Sequence, residues 1–163
     1  MKLNVVVNGR ILRKYDLNSN IFVEGWKGSN YSLQLQNNTN KKTKAVVGID
    51  GINIVSFDSN WDQGIILDPN EIVTISQYIK NKNLFIFGNN KSSLGSIGVK
   101  WYKEKDSSHN YRRIIQSNQV QNIQEVDFDS ELVSNLTEII YYDDANGLTK
   151  TWNHFRQTKI IFT

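Results

Sequence analysis

The feature that most constrains this chain is the run over residues 25–55, GWKGSNYSLQLQNNTNKKTKAVVGIDGINIV. Tyr31, Leu33 and Leu35 alternate with Ser32, Gln34 and Gln36, the period of a strand that buries one face. Residues 37–43 form a polar stretch rich in Asn and Lys, which predicts a turn. An apolar run follows at 45–49, then Asp50-Gly51, then a returning run at 52–55. Asp-Gly between apolar runs is a strong hairpin signal, because both central positions of a type I′ turn need positive φ. The block predicts an all-β fold and by itself discloses no chemistry.

The same grammar extends along the chain. Residues 3–15 predict a β-hairpin turning at Asn8-Gly9, with Val7 opposite Arg10, Val6 opposite Ile11 and Val5 opposite Leu12. These pairs alternate faces, so the hairpin is apolar on both sides and needs cover on both, from its own domain or from a neighbour. Residues 17–20 are a polar turn and 21–23 a short strand. Further strands are predicted at 65–67, 71–75, 84–87, 97–102, 111–115, 123–128, 138–142 and 159–162. Asp68-Pro69-Asn70 places Pro at the favoured second position of a type I or II turn. Residues 89–95 and 103–110 are polar loops, and 144–150 is long enough for one helical turn. No segment holds helical periodicity over 11 or more residues. Short strands at regular spacing predict an antiparallel β-sandwich of jelly-roll type. Its expected extent is a single domain over 1–163, with residues 1–20 as a hairpin arm and 104–163 supplying the C-terminal strands.

Composition narrows the function classes. The 163 residues contain no cysteine, which removes disulfides and thiolate metal sites. The net charge is +3, but Lys41, Lys42, Lys44, Lys80, Lys82 and Lys91 are scattered over turns. A nucleic-acid footprint gathers its charge on one face, so no nucleic-acid partner is expected. No apolar run approaches the roughly 20 residues of a membrane span, and MKLNVVVNGR lacks the sustained apolar core of a secretion signal. The two histidines, His109 and His154, form no zinc-binding pattern. Asp127, Asp129, Glu131, Asp143 and Asp144 offer carboxylates without the spacing of a calcium loop. There is no nucleophile elbow. The segment from Gly88 to Ser93 lacks the leading glycine of a phosphate loop. The expectation is no catalytic residue, no metal and no cofactor.

The aromatic residues remain. Trp101 alternates with the core side of its strand and is expected to be buried. Trp26, Trp61 and Trp152 fall in loops, where a Trp either lids the end of a sandwich, stacks on a sugar or anchors an interface. With the two-faced hairpin they define the candidate interface: Val5, Val6, Ile11, Leu12, Trp26, Trp61 and Trp152.

The segments VVVNGRI (5–11), FVEGWKGSNYS (22–32), QNNTNKKTKAVVGIDGINIV (36–55), GIILDPNEIVTI (64–75), IGVKWY (97–102) and IYYDD (140–144) with Leu148 resemble, in that order, a family of small β-domain proteins. That family is found in tailed phages, large DNA viruses and some bacteria. The chain departs from the family pattern at Trp26, at Trp61 and at Thr151-Trp152. The resemblance carries no catalytic residue. It implies a virion-associated structural protein, such as a capsid auxiliary, decoration or fibre-associated protein, in the virion and in host cytoplasm during assembly. Its partners would be other virion or capsid subunits, as a homo-oligomer or through lattice contacts. The rival expectation is a lectin-like carbohydrate-binding module that stacks sugars on Trp26, Trp61 or tyrosines.

Overall fold

The computed structural model of the chain describes residues 1–88, 95–105, 130–143 and 161–162. Among them every regular element is a strand: β1 (Lys2–Val7), β2 (Arg10–Ile11), β3 (Tyr15–Leu17), β4 (Asn20–Glu24), β5 (Ser32–Gln36), β6 (Thr43–Ile49), β7 (Ile52–Asn53), β8 (Ile65–Leu67), β9 (Ile72–Ile75), β10 (Gly95–Glu104), β11 (Ser130–Asp143) and β12 (Ile161–Phe162). They form two sheets. The smaller has the order β2-β1-β5-β9. The larger runs β12-β3-β4-β11-β10-β6-β7, with β8 also paired to β6. The expected strands at 111–115 and 123–128 and the turn at 144–150 lie outside the described residues.

Three two-residue turns set the local geometry. Asn8 and Gly9 stand at φ 52° and 77°, and Asp50 and Gly51 at 50° and 81°. Asn18 and Ser19 do the same work between β3 and β4, at 52° and 65°. Paired positive φ values give the turn a twist that matches the strands it joins.

The hairpin is shorter than its sequence suggests. Val6 pairs with Ile11 and Val7 with Arg10, and Leu12 N–H still donates to Val5 O at 2.8 Å. The chain then leaves the smaller sheet, and Tyr15 pairs with Phe22 in the larger one. Lys14 marks the crossing: its ammonium donates to Leu3 O at 2.6 Å and lies 3.3 Å from a Glu138 carboxylate oxygen. A second correction concerns direction. Alternation and turn signals predict an all-antiparallel arrangement, but β11 runs parallel to β4, with Ile140 opposite Ile21 and Tyr142 opposite Val23. The two strands lie far apart in the chain, so no tight turn obliges them to run antiparallel.

One core serves both sheets. Leu3, Val5, Leu33, Leu35, Val73 and Ile75 from the smaller sheet join Ala45, Val47, Ile49, Ile97, Val99, Trp101 and Ile140 from the larger in one cluster. The expected inward residues Leu33, Leu35, Val47, Ile49, Val99 and Trp101 are all buried. Gln34, Gln36 and Lys100 keep partial exposure, so the strand register is the one that alternation predicts.

Two asparagines hold the loops that this core needs. Asn53 ends β7 early, where the apolar pattern predicts a strand through residue 55. Its side-chain oxygen accepts from Val55 N–H at 2.8 Å, and its amide donates to Asn60 O at 3.0 Å and Gln63 O at 2.9 Å. Asn37, expected in an open polar turn, is fully buried. Its amide donates to Lys41 O at 2.7 Å and Asp68 O at 2.9 Å, tying the turn to the end of β8.

Candidate functional site

In the smaller sheet Leu3, Val5, Leu33, Leu35, Val73 and Ile75 point inward, so the alternate residues make its outer face. The register arranges them in rows. Ile11 stands beside Val6, and Val6 beside Ser32. Asn4 stands beside Gln34, and Gln34 beside Thr74. Lys2 stands beside Gln36, and Gln36 beside Ile72. Asn4 donates to the Gln34 side-chain oxygen at 3.3 Å, and the Ser32 and Ser76 hydroxyls bond at 2.8 Å. The middle of the face is therefore an amide and hydroxyl surface, bonded to itself at these two pairs.

Residues 84–87 extend this face. Phe85 N–H donates to Ser76 O at 3.0 Å, while Tyr31 N–H donates to Phe85 O at 3.1 Å. Isolated bridges join Asn30 to Ile86 and Gln77 to Leu84. Phe85 and Phe87 point into the core, where Tyr31 stacks on Phe87 with ring centroids 4.3 Å apart. Burial pushes the Tyr31 hydroxyl far above the ordinary tyrosine range, so this group stays protonated and structural. Leu84 and Ile86 are left exposed, Ile86 beside Asn30 and Leu84 beside Gln77. Seven large apolar side chains are exposed among the described residues, and the pairing places three of them, Ile11, Ile72 and Ile86, on this face. Single exposed apolar residues are ordinary; the presence of several on one face makes it the candidate surface for a contact.

The candidate residues are divided by the structure. Val5 is fully buried in the core, so it supports the face from beneath. Val6 is half-buried on the outer face, and Ile11 is 54% exposed beside it. Leu12 packs against the core cluster. Trp26 is 67% exposed in a tight loop where Ser29 N–H donates to Trp26 O at 2.9 Å and Gly28 N–H to Phe87 O at 3.0 Å. Gly25, just before it, lies against the Phe87 ring so closely that a Cβ would stand 2.5 Å from it. Trp61 belongs elsewhere: it rests half-buried on Gly48 and Gly98 of the larger sheet. Trp152, His109 and His154 lie outside the described residues. Sequence reading missed Ile72, Leu84 and Ile86. The signal for Leu84 and Ile86 was present in Leu84-Phe85-Ile86-Phe87, a run apolar at every position, which the structure holds by isolated bridges rather than as the expected strand.

Trp26 and Trp61 therefore do not form a shared stacking platform on one element. Trp61 carries the Lys100 ammonium 4.9 Å from its ring centroid. Compared with protein-family models, with curated proteins and with solved structures, the chain matches none.

Proposed function

We propose that this chain is a non-enzymatic structural protein of a virus particle that works through protein–protein contacts on the outer face of its smaller sheet. The observation that supports this reading is the grouping of the exposed Ile11, Ile72 and Ile86 around a centre of amides and hydroxyls on one sheet face. An apolar margin gains from being covered, and the donors and acceptors that the central amides and hydroxyls leave unbonded would take hydrogen bonds from the partner. The resemblance of the sequence to virion-associated β-domain proteins supplies the setting: a capsid auxiliary, decoration or fibre-associated role, with other virion subunits or further copies of the chain as partners. We take the two sheets as the layers of a sandwich, a jelly roll altered by the parallel β4–β11 pair. A contact of standard size buries about 1,600 Å² in total, which the outer face of β1, β5, β9 and residues 84–87 would share with its partner.

The test is mass spectrometry of particles purified from the host that carries the gene. The chain is expected as a stoichiometric component, present in many copies like other repeated surface subunits. Its absence from washed particles would overturn the virion reading. The carbohydrate-binding alternative rests on the exposure of Trp26. Glycan affinity in a monomer, lost on Trp26→Ala, would transfer the function to it.

A further inference from the structure

A second feature lies on the outer face of the larger sheet. Gly48 and Gly98 are direct neighbours across β6 and β10, so two adjacent side chains are missing from the sheet surface. Trp61 takes up part of that space: a Cβ on Gly48 would meet its ring at 2.8 Å, and one on Gly98 at 3.3 Å. The rest is an open cleft of about 170 Å³, lined by Trp61, Ile139, Lys100 and Ser96 over a floor of Gly48 and Gly98. Ile139 stands opposite Gly98 in the register and is 46% exposed. Trp61 and Ile139 are the apolar groups beside a floor of bare backbone.

Three properties define what would fill it. The size suits one ring, since an apolar cavity of roughly 150 Å³ accommodates benzene. The lining groups are an indole and an aliphatic side chain, with a floor that has no side chains, so a flat ring can lie against the sheet. Lys100 is the one charged residue in the lining. Among the described residues it makes no ion pair, and its ammonium rests on the Trp61 ring. An ammonium held beside an apolar cleft, with no carboxylate paired to it among the described residues, favours an anion. We propose that this cleft binds a single aromatic ring bearing a carboxylate. The ring would lie on Gly48 and Gly98 beside Trp61, and the carboxylate would pair with Lys100. This inference is independent of the smaller sheet and its partner.

The experiment is an NMR titration of the full chain with phenylacetate, following the Gly48, Gly98 and Ser96 amides and the Trp61 indole N–H. A dissociation constant of about 1 mM is expected, an ordinary value for so small a ligand. Benzyl alcohol, with the same ring and no charge, should bind about threefold more weakly, the scale of a partly exposed ammonium–carboxylate pair. Lys100→Gln should erase the difference between the two probes. Gly98→Ala, which raises the floor beneath Trp61, should abolish the shifts for both. N-acetylphenylalanine separates the two sources of such a group: binding as tight as phenylacetate assigns the cleft to the C-terminal aromatic residue of a peptide, and failure to bind assigns it to a free aromatic acid. The proposal is overturned if phenylacetate at about 20 mM, well above the expected constant, leaves those four signals unmoved. It is also overturned if benzyl alcohol binds equally well, or if Lys100→Gln leaves the preference for the anion intact.

Discussion

The outer faces of the two sheets are built from opposite choices. On the larger sheet the outward positions include Val46 and Ile66, both fully buried, and Gly48 and Gly98, which lie against Trp61. Asn53 reaches that loop through Asn60 O and Gln63 O. The chain therefore roofs part of this face with its own loop. On the smaller sheet the outward positions are Asn4, Gln34, Gln36, Ser32 and Thr74, with apolar residues toward the margins, and residues 84–87 extend the face. The difference teaches where a chain solves its burial problem internally and where it leaves the solution to something else. A face of Val, Ile and Gly needs a roof to fold at all. A face of amides and hydroxyls is stable in water, so its marginal Ile side chains are free to serve a contact.

The contrast breaks hardest in the core beneath the smaller sheet. Leu35 is fully buried between the sheets while its neighbour Gln34 faces outward. Leu35→Ala should cost about 2–5 kcal/mol, the range for a buried leucine whose site collapses incompletely. Gln34→Ala should change stability by less than about 0.5 kcal/mol. Chemical denaturation measures both, and equal losses would show that the outer face is not the solvent side.

The roof gives the next largest effect. Gly48→Val sets a branched side chain against the Trp61 ring, where even the Cβ has only 2.8 Å. A cost of about 1–3 kcal/mol is expected, the range for overpacking, together with movement of the Trp61 indole signals toward random-coil positions as the ring lifts. A neutral result would mean that the loop carrying Trp61 is not fixed on the sheet.

How much of this was legible in the sequence follows from which forces act locally. Alternation at 31–36 and the Asp50-Gly51 and Asn8-Gly9 turns were readable, because period and positive φ are local properties. The short β2 was not. Val5, Val6 and Val7 suggest a long hairpin, but the crossing at Lys14 is decided by the Leu3 carbonyl and Glu138, which is distant in sequence. The parallel β4–β11 pair was hidden for the same reason. Buried Asn37 and Asn53 read as turn residues by type, and only their carbonyl and N–H partners in the fold reveal that they hold loops in place. Of the candidate interface, Ile11 and Trp26 were found by pattern and are exposed. Val5 was misplaced because two-faced apolarity does not say which face the core takes. Leu84 and Ile86 could have been found by the same rule that found the hairpin.

The turn at Asn8-Gly9 is where the bare face is held in shape, since it sets β2 and so places Ile11 beside Val6. Gly9 stands at φ 77°, and a Cβ added there would meet nothing within 4 Å. Gly9→Val should therefore cost about 1–2 kcal/mol from backbone strain alone, without any steric clash. Gly9→Asn, which tolerates positive φ, should restore most of the loss in thermal denaturation. If Val and Asn behave alike, β2 is not anchored by this turn.

The smallest effect on stability per site is the one that bears on function. Ile11 and Ile86 are about half exposed on the outer face of the smaller sheet, so replacing both with Asp removes only the buried half of each side chain. The doubly substituted chain, Ile11→Asp with Ile86→Asp, should lose about 1 kcal/mol per site. The same change places two carboxylates on the margins of the proposed contact, where burying an unpaired charge is costly. Co-sedimentation of the chain with purified particles should then be lost while its circular dichroism and cooperative melting are retained. The parent chain's association should also persist at high salt, since apolar burial is not screened as charge pairs are. Association that falls steeply with salt, or that survives both aspartates, would move the contact away from this face and remove the distinction between the two sheets on which the functional reading rests.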